Sequence, residues 1–137
     1  MARRPSVHPT DTELEILQVL WKTGPVGLGK IHDELVQQRD VAKTTVATML
    51  GVMLQKELVQ RREGPRGYLW SAAVSRKDTA SGMVGKLINH VFDGSAQRMV
   101  THLVEGKRLS ADELEEIWRM VKQRQADKKR PRKGKEP

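Results

Sequence analysis

Apolar residues recur at helical spacing along most of this chain, and the period changes once. Leu14, Leu17 and Trp21 stand at i, i+3 and i+7, with Ile16 and Leu20 widening the stripe. A Thr10-x-x-Glu13 capping box opens this first helix and Gly24-Pro25 stops it, so it is predicted from Thr10 to about Thr23. A second helix runs from about Leu28 to Arg39 with Leu28, Ile31, Leu35 and Val36 on one side. Its start is weakly specified, because Gly27 offers no side-chain cap. The third spans about Lys43 to Lys56 with Val46, Leu50, Met53 and Leu54 inward. Three amphipathic helices within about fifty residues predict a helix-turn-helix arrangement.

Alternation then replaces the helical period. Leu58 to Arg62 reads as a strand, Gly64-Pro65-Arg66-Gly67 as a turn and Tyr68 to Ser71 as the returning strand. Tyr68 and Trp70 share one face of it, with Leu69 and Ser71 on the other. A helix-turn-helix followed by a hairpin predicts a winged helix. The hairpin carries Arg61, Arg62 and Arg66 against Glu63 alone.

Beyond it the chain is helical again. Ser75-x-x-Asp78 begins a long helix to about Asp93, with Met83, Val84, Leu87, Ile88, Val91 and Phe92 apolar. Gly82 and Gly85 in its interior each cost up to about 1 kcal/mol against alanine, so this helix needs tertiary partners. Ser95 to Glu105 follows, carrying Met99, Val100, Leu103 and Val104 and ended by Gly106. A second capping box, Ser110-x-x-Glu113, opens a last helix to about Gln125 with Leu114, Ile117, Trp118 and Val121 on its stripe. The expected fold is mainly α. Residues 1–9 are a flexible start, 10–74 a winged helix-turn-helix, 75–125 a helical dimerisation domain and 126–137 a basic disordered tail. Three short helices close little core alone, so Val84, Leu87, Ile88, Val91, Leu114, Ile117 and Trp118 are expected to pack against a second copy.

Composition narrows the function classes. With 137 residues the chain holds one domain or two very small ones. It has no cysteine, which excludes disulfides, thiolate metal sites and cysteine nucleophiles. Its apolar runs are too short to span a bilayer and no apolar stretch follows Arg3-Arg4, so a soluble, cytoplasmic protein is expected. The net charge is +8, and half of that excess lies in the last eleven residues. Such a balance points to a polyanion, nucleic acid first. Aromatic residues, at 4%, are too few for a single-strand binder that stacks bases.

Catalysis finds no footing. No histidine pair among His8, His32, His90 and His102 sits at i, i+4 with carboxylate support, so no metal site is expected. His32 with Asp33-Glu34 reads as a solvated helix face, and Met83 and Met99 as core. No glycine-rich phosphate loop follows a strand and no nucleophile–base pair stands out, so neither an enzyme nor a cofactor is expected.

Four stretches resemble the penicillinase-repressor (BlaI/MecI/CopY) family of bacterial transcription regulators. They are Leu14-Glu15-Ile16-Leu17-x-Val19-Leu20-Trp21, Lys43-Thr44-Thr45-Val46-x-Thr48-x-Leu50 with Lys56-x-Leu58-Val59, Phe92-Asp93-Gly94-Ser95, and Leu109-Ser110-x-x-Glu113-Leu114-Glu115. Each motif alone is weak, but in this order and spacing, over about residues 10–125, they are specific. The family often has Tyr where Lys43 stands, Arg where Val52 stands and Gly where Glu57 stands. Its copper-responsive branch ends in a cysteine cluster for Cu(I), and that branch is excluded by chemistry. The resemblance implies release by a sensor-controlled protease that cuts inside the dimerisation domain. The matching bond is His102-Leu103, where the best-known members have Asn-Phe.

The sequence thus predicts a homodimeric repressor of palindromic double-stranded DNA. Lys43, Thr44, Thr45, Ala47 and Thr48 open the third helix and are candidates for the major groove, while Arg61, Arg62 and Arg66 suit phosphate or the minor groove. Arg3, Arg4 and the run from Lys128 to Lys133 are either further backbone contacts or solvated ends. One rival is an adaptor that binds protein through its apolar C-terminal helices, with the basic half serving solubility. A second is a ligand-sensing one-component regulator, for which the thin helical second half leaves little room for a pocket of a few hundred cubic ångströms.

Overall fold

The computed structural model describes residues 8–129, so Arg3, Arg4 and the tail from Arg130 onward lie outside the described residues. Six helices and one hairpin follow in order: α1 (Asp11–Thr23), α2 (Leu28–Leu35), α3 (Lys43–Gln55), β1 (Val59–Gly64), β2 (Gly67–Ala72), α4 (Arg76–Val91), α5 (Ala96–Glu105) and α6 (Ala111–Lys129). The chain divides into two compact units between Lys86 and Leu87, and each is taken by itself.

In the first unit the helical stripes meet. Ile16, Leu17, Val19 and Leu20 of α1, Ile31 and Leu35 of α2, and Val46, Leu50 and Met53 of α3 are buried, closed over by Leu58, Val59 and Trp70. Leu54, expected inward, packs against this core and is partly buried. The hairpin is antiparallel, with Arg61 opposite Trp70, Arg62 opposite Leu69 and Gly64 opposite Gly67. The two-residue loop Pro65-Arg66 needs a residue with φ of +115° behind it, and Gly67 takes that conformation without a Cβ clash.

Periodicity did not reveal one element. Val26 exchanges backbone hydrogen bonds with Trp70 (3.0 and 2.7 Å), an isolated bridge that adds a third edge to the hairpin and fixes the start of α2. A single bridging residue has no alternation to read.

α2 ends earlier than its pattern suggested. It stops at Leu35, after which Gln38 N–H and Arg39 N–H both turn back to the Leu35 carbonyl. Val36, expected on the inner side, is exposed, so no buried side chain anchors a further regular turn. His32 is not a solvated residue either. One of its ring nitrogens lies 2.8 Å from the Val41 carbonyl oxygen, tying α2 to the loop before α3.

α1 and α3 are pinned by charge. Glu13 accepts from the Thr10 backbone N–H (3.0 Å), and the Thr10 hydroxyl accepts from the Glu13 N–H (3.2 Å). The second carboxylate oxygen takes the Lys56 ammonium at 2.8 Å. Burial raises the Glu13 pKa, but Lys56 and the Thr10 hydrogen bonds outweigh it and hold the carboxyl below its ordinary value.

α3 closes in a Schellman motif. Leu58 N–H bonds the Met53 carbonyl (2.9 Å) and Glu57 N–H the Leu54 carbonyl (3.1 Å), with Glu57 at φ +66°. α5 ends the same way, through Arg108 to Leu103 and Lys107 to Val104. The left-handed residue there is Lys107, at φ +60°, while Gly106, expected as the stop, keeps φ −83°.

From α4 onward none of the described residues is buried. Met83 and Met99, expected as core, are only partly covered within one chain. α6 runs four residues beyond its expected end, so the first residues of the supposed disordered tail are helical. Gln123 donates to Asp127 across one turn (3.3 Å), and Lys128 and Lys129 sit where a helix C-terminus favours cations.

Candidate nucleic-acid interface

α3 is oriented by its buried stripe, and the opposite arc is thereby fixed. With Val46, Leu50 and Met53 inward, helical spacing turns Thr44, Thr48, Gly51 and Gln55 outward, with Thr45 and Val52 on one flank and Lys43 and Ala47 on the other. All eight are exposed. The N-cap is Ala42, which supplies no side-chain acceptor, and no acidic residue lies in the first turn. The first N–H groups and the positive end of the helix dipole are therefore open to an anion. Thr48 donates its hydroxyl proton to the Thr44 carbonyl (3.1 Å) and keeps lone pairs and a methyl group outward.

A half-open groove of about 890 Å³ runs beside α3, lined by Leu28 and Lys30 of α2, Lys43, Ala47 and Gly51 of α3, and Arg61, Arg66 and Tyr68 of the hairpin, among others. Four cations line it and no carboxylate does. Lys30 pairs with Glu34 at 3.3 Å, and no ion pair among the described residues engages Lys43, Arg61, Arg62 or Arg66.

The hairpin arginines do not act as one cluster. Strand alternation puts Arg61 on the Tyr68–Trp70 face and Arg62 on the Leu69 face, while Arg66 occupies the loop. The Arg61 guanidinium lies 3.9 Å from the Tyr68 ring centroid and 5.5 Å from that of Trp70, whose two rings meet edge to face at 6.2 Å. Tyr68 thus restrains Arg61 beside the groove, which lowers the entropy lost when it meets a charge.

The structure therefore brings together Lys43, Ala47, Arg61 and Arg66, leaves Thr44, Thr45 and Thr48 on the open arc, and separates Arg62 from the groove. Lys30, Gly51, Val52, Gln55 and Tyr68 were not foreseen. Continuing the outward spacing of Thr44 and Thr48 by two more turns would have found Gly51 and Gln55. Lys30 could be found only from the packing of α2 beside the hairpin.

Elsewhere the expected partner-facing residues stand open. Leu87 keeps 44% of its surface, Val91 62%, Ile117 44% and Trp118 56%, and Val84 is equally exposed. Ile88 and Leu114 are partly covered. His102 and Leu103 lie in the last turn of α5, where the His102 ring rests 5.6 Å from that of Phe92. Their carbonyls accept from Gly106 and Arg108, so the bond between them is helical rather than extended. Among the described residues no group of three His, Asp or Glu could hold a metal ion, and no helix is long and apolar enough to cross a membrane.

The chain is similar to known proteins along most of its length. Residues 9–123 match the penicillinase repressor family. The transcriptional regulator BlaI of Mycobacterium tuberculosis (strain ATCC 25618 / H37Rv) is 32% identical over 118 residues, 85% of this chain and 84% of that protein. The penicillinase repressor of Bacillus licheniformis is 22% identical over 120 residues, 88% of this chain and 94% of that one. The methicillin resistance regulatory protein MecI of Mammaliicoccus sciuri is 25% identical over 108 residues, 79% and 88% of the respective chains. Among solved structures, monomeric BlaI of Bacillus licheniformis in complex with the blaP half-operator aligns with a TM-score of 0.46 and 23% identity, over 57% of this chain and 93% of that one.

Proposed function

The chain belongs to the penicillinase repressor family, and from that premise we propose that it represses transcription as a homodimer seated on a palindromic operator. The observation that carries the DNA contact is the outward arc of α3, uncharged except for Lys43, set beside a groove lined by cations without a carboxylate. Cations hold the phosphate backbone and fix the register, and the uncharged arc is free to meet base edges in the major groove. Lys43, Thr44, Thr45, Ala47 and Thr48 take the base and near-phosphate positions, Arg61 and Arg66 the phosphates beside the groove, and Arg62, on the other face of the hairpin, a phosphate outside it. Lys30 joins the phosphate set on the strength of its place in the groove.

Two copies are joined through the apolar residues of α4, α5 and α6, which one chain leaves uncovered. A dimer presents two recognition helices to successive major grooves, so the operator is read as a palindrome and its occupancy excludes RNA polymerase. The chain works in the cytoplasm, where that DNA is. Release follows when a sensor-controlled protease cuts His102-Leu103. That bond lies in a helical turn, so cutting requires the end of α5 to open first. The adaptor reading is not favoured, since relatives that match most of this chain's length carry the names of repressors and transcriptional regulators.

The test is a mobility shift of the full chain on duplexes carrying its own promoter against scrambled duplexes, repeated over a salt series. A specific complex with a steep salt slope at a two-chain stoichiometry is expected. Equal affinity for both duplexes would rule the repressor reading out.

A further inference from the structure

Val52 is out of place by the logic of packing. It keeps 43% of its surface open, while Val46, Leu50 and Met53 of the same helix keep none. Thr45, Thr48 and Val52 stand at i, i+3 and i+7, so they form one exposed line along α3. That line faces away from the hairpin, because the α3 residues that line the groove are Lys43, Ala47 and Gly51. Thr48 has already spent its hydroxyl proton on the Thr44 carbonyl. Beyond the Thr45 hydroxyl, the Thr48–Val52 part of the line therefore offers methyl groups and acceptor lone pairs, and none of the three members is a cation, in a chain of net charge +8.

The floor of the major groove carries one apolar feature, the 5-methyl group of thymine. Guanine presents two acceptors at the same depth and is matched by the fork of an arginine or by a lysine. A valine pressed against guanine would strip water from those acceptors and return no hydrogen bond. Pressed against a thymine methyl, it removes two apolar groups from water at once.

We propose that Val52 is a specificity-determining residue of the operator contact, reading a thymine methyl from the flank of α3 that faces away from the hairpin, with the Thr48 methyl beside it. This rests on the repressor reading and deepens it. The affinity of the complex comes from the groove cations, while at this flank its preference comes from methyl packing.

The experiment uses the full chain throughout. Duplexes retained from a random pool are sequenced to define the half-site, and each half-site thymine is then replaced singly by deoxyuridine, which removes the methyl and nothing else. One position is expected at which deoxyuridine weakens binding about fourfold, the worth of one buried methyl-sized group. Val52→Ala should bind the thymine duplex correspondingly less well and lose the response at that position alone, and Val52→Arg should select guanine there. Because Val52 is exposed, both variants keep the fold. If Val52→Ala responds to deoxyuridine as the unaltered chain does, or no thymine of the half-site responds, the proposal is overturned while the repressor reading stands. If no sequence is enriched at all, both fall.

Discussion

The Lys56 ammonium lies 2.8 Å from Oε2 of Glu13, a carboxylate that keeps only 5% of its surface. These residues, forty-three positions apart, lock the first turn of α1 to the end of α3 and so help set the pose of the helix that carries the candidate interface. The Thr10 backbone N–H donates to the other carboxylate oxygen, so neither oxygen is left without a partner at the core edge.

Removing Lys56 strands that charge. Lys56→Met is expected to cost about 1–3 kcal/mol, the penalty for a buried acceptor left without its charged partner, reduced because the lysine end is partly open to water. The midpoint of urea unfolding at pH 7 measures it. A change under a few tenths of a kcal/mol would mean that water already replaces the lysine.

The same pair gives a pH dependence. The Glu13 carboxyl is held below its ordinary value of 4.5 when folded, so the unfolded chain takes up the proton first. The stability that the pair contributes is complete above that ordinary value and is lost as pH falls through the lowered folded value. Urea midpoints followed from pH 6 downward should fall more steeply for the unaltered chain than for Lys56→Met. Parallel curves would contradict the assignment.

Glu57 occupies the left-handed position of a Schellman motif at φ +66°, where a Cβ is strained. Glu57→Gly is expected to stabilise by about 0.5–1 kcal/mol, the relief of strain exceeding the added entropy of the unfolded chain. Thermal unfolding should show a midpoint higher by a few degrees. A lower midpoint would show that the contacts of the Glu57 side chain outweigh the backbone.

Tyr68 carries no charge, yet it holds Arg61 at 3.9 Å. Tyr68→Ala is expected to weaken binding to any duplex while leaving the salt slope nearly intact, because the charge stays but its order is lost. Arg61→Ala with Arg66→Ala should flatten the slope of log K against log salt by about 0.9 for each phosphate contact removed. Salt titrations of both variants separate the two effects.

Truncation at His102 removes α6 and the end of α5 but spares the buried core, which lies within residues 16–70. The truncated chain is expected to be monomeric in sedimentation and to bind the operator near the non-specific level of about 10⁻⁴–10⁻⁶ M. A truncated chain that stays dimeric or binds as tightly as the intact one would show that release works elsewhere.

The elements and their order are legible in the amino-acid pattern alone. Leu14, Leu17 and Trp21, the capping pairs Thr10/Glu13 and Ser110/Glu113, and the alternation around Tyr68 and Trp70 are local signals, and local hydrogen bonding and burial enforce them. The pattern also places Thr44 and Thr48 on an outer face, since a buried stripe fixes its opposite. Other features depend on residues distant in sequence that meet only once the chain has folded. The Val26–Trp70 bridge, the His32–Val41 tie, the Glu13–Lys56 pair and the arrival of Lys30 beside Arg61 leave no periodic trace, because each joins single residues across a turn or between elements. The division of the three hairpin arginines is of this kind. Their spacing reads as one basic cluster, but pairing with β2 puts Arg61 on an aromatic face, Arg62 on the other side and Arg66 in the loop. A strand acquires two distinct faces only when another strand and a core lie against it.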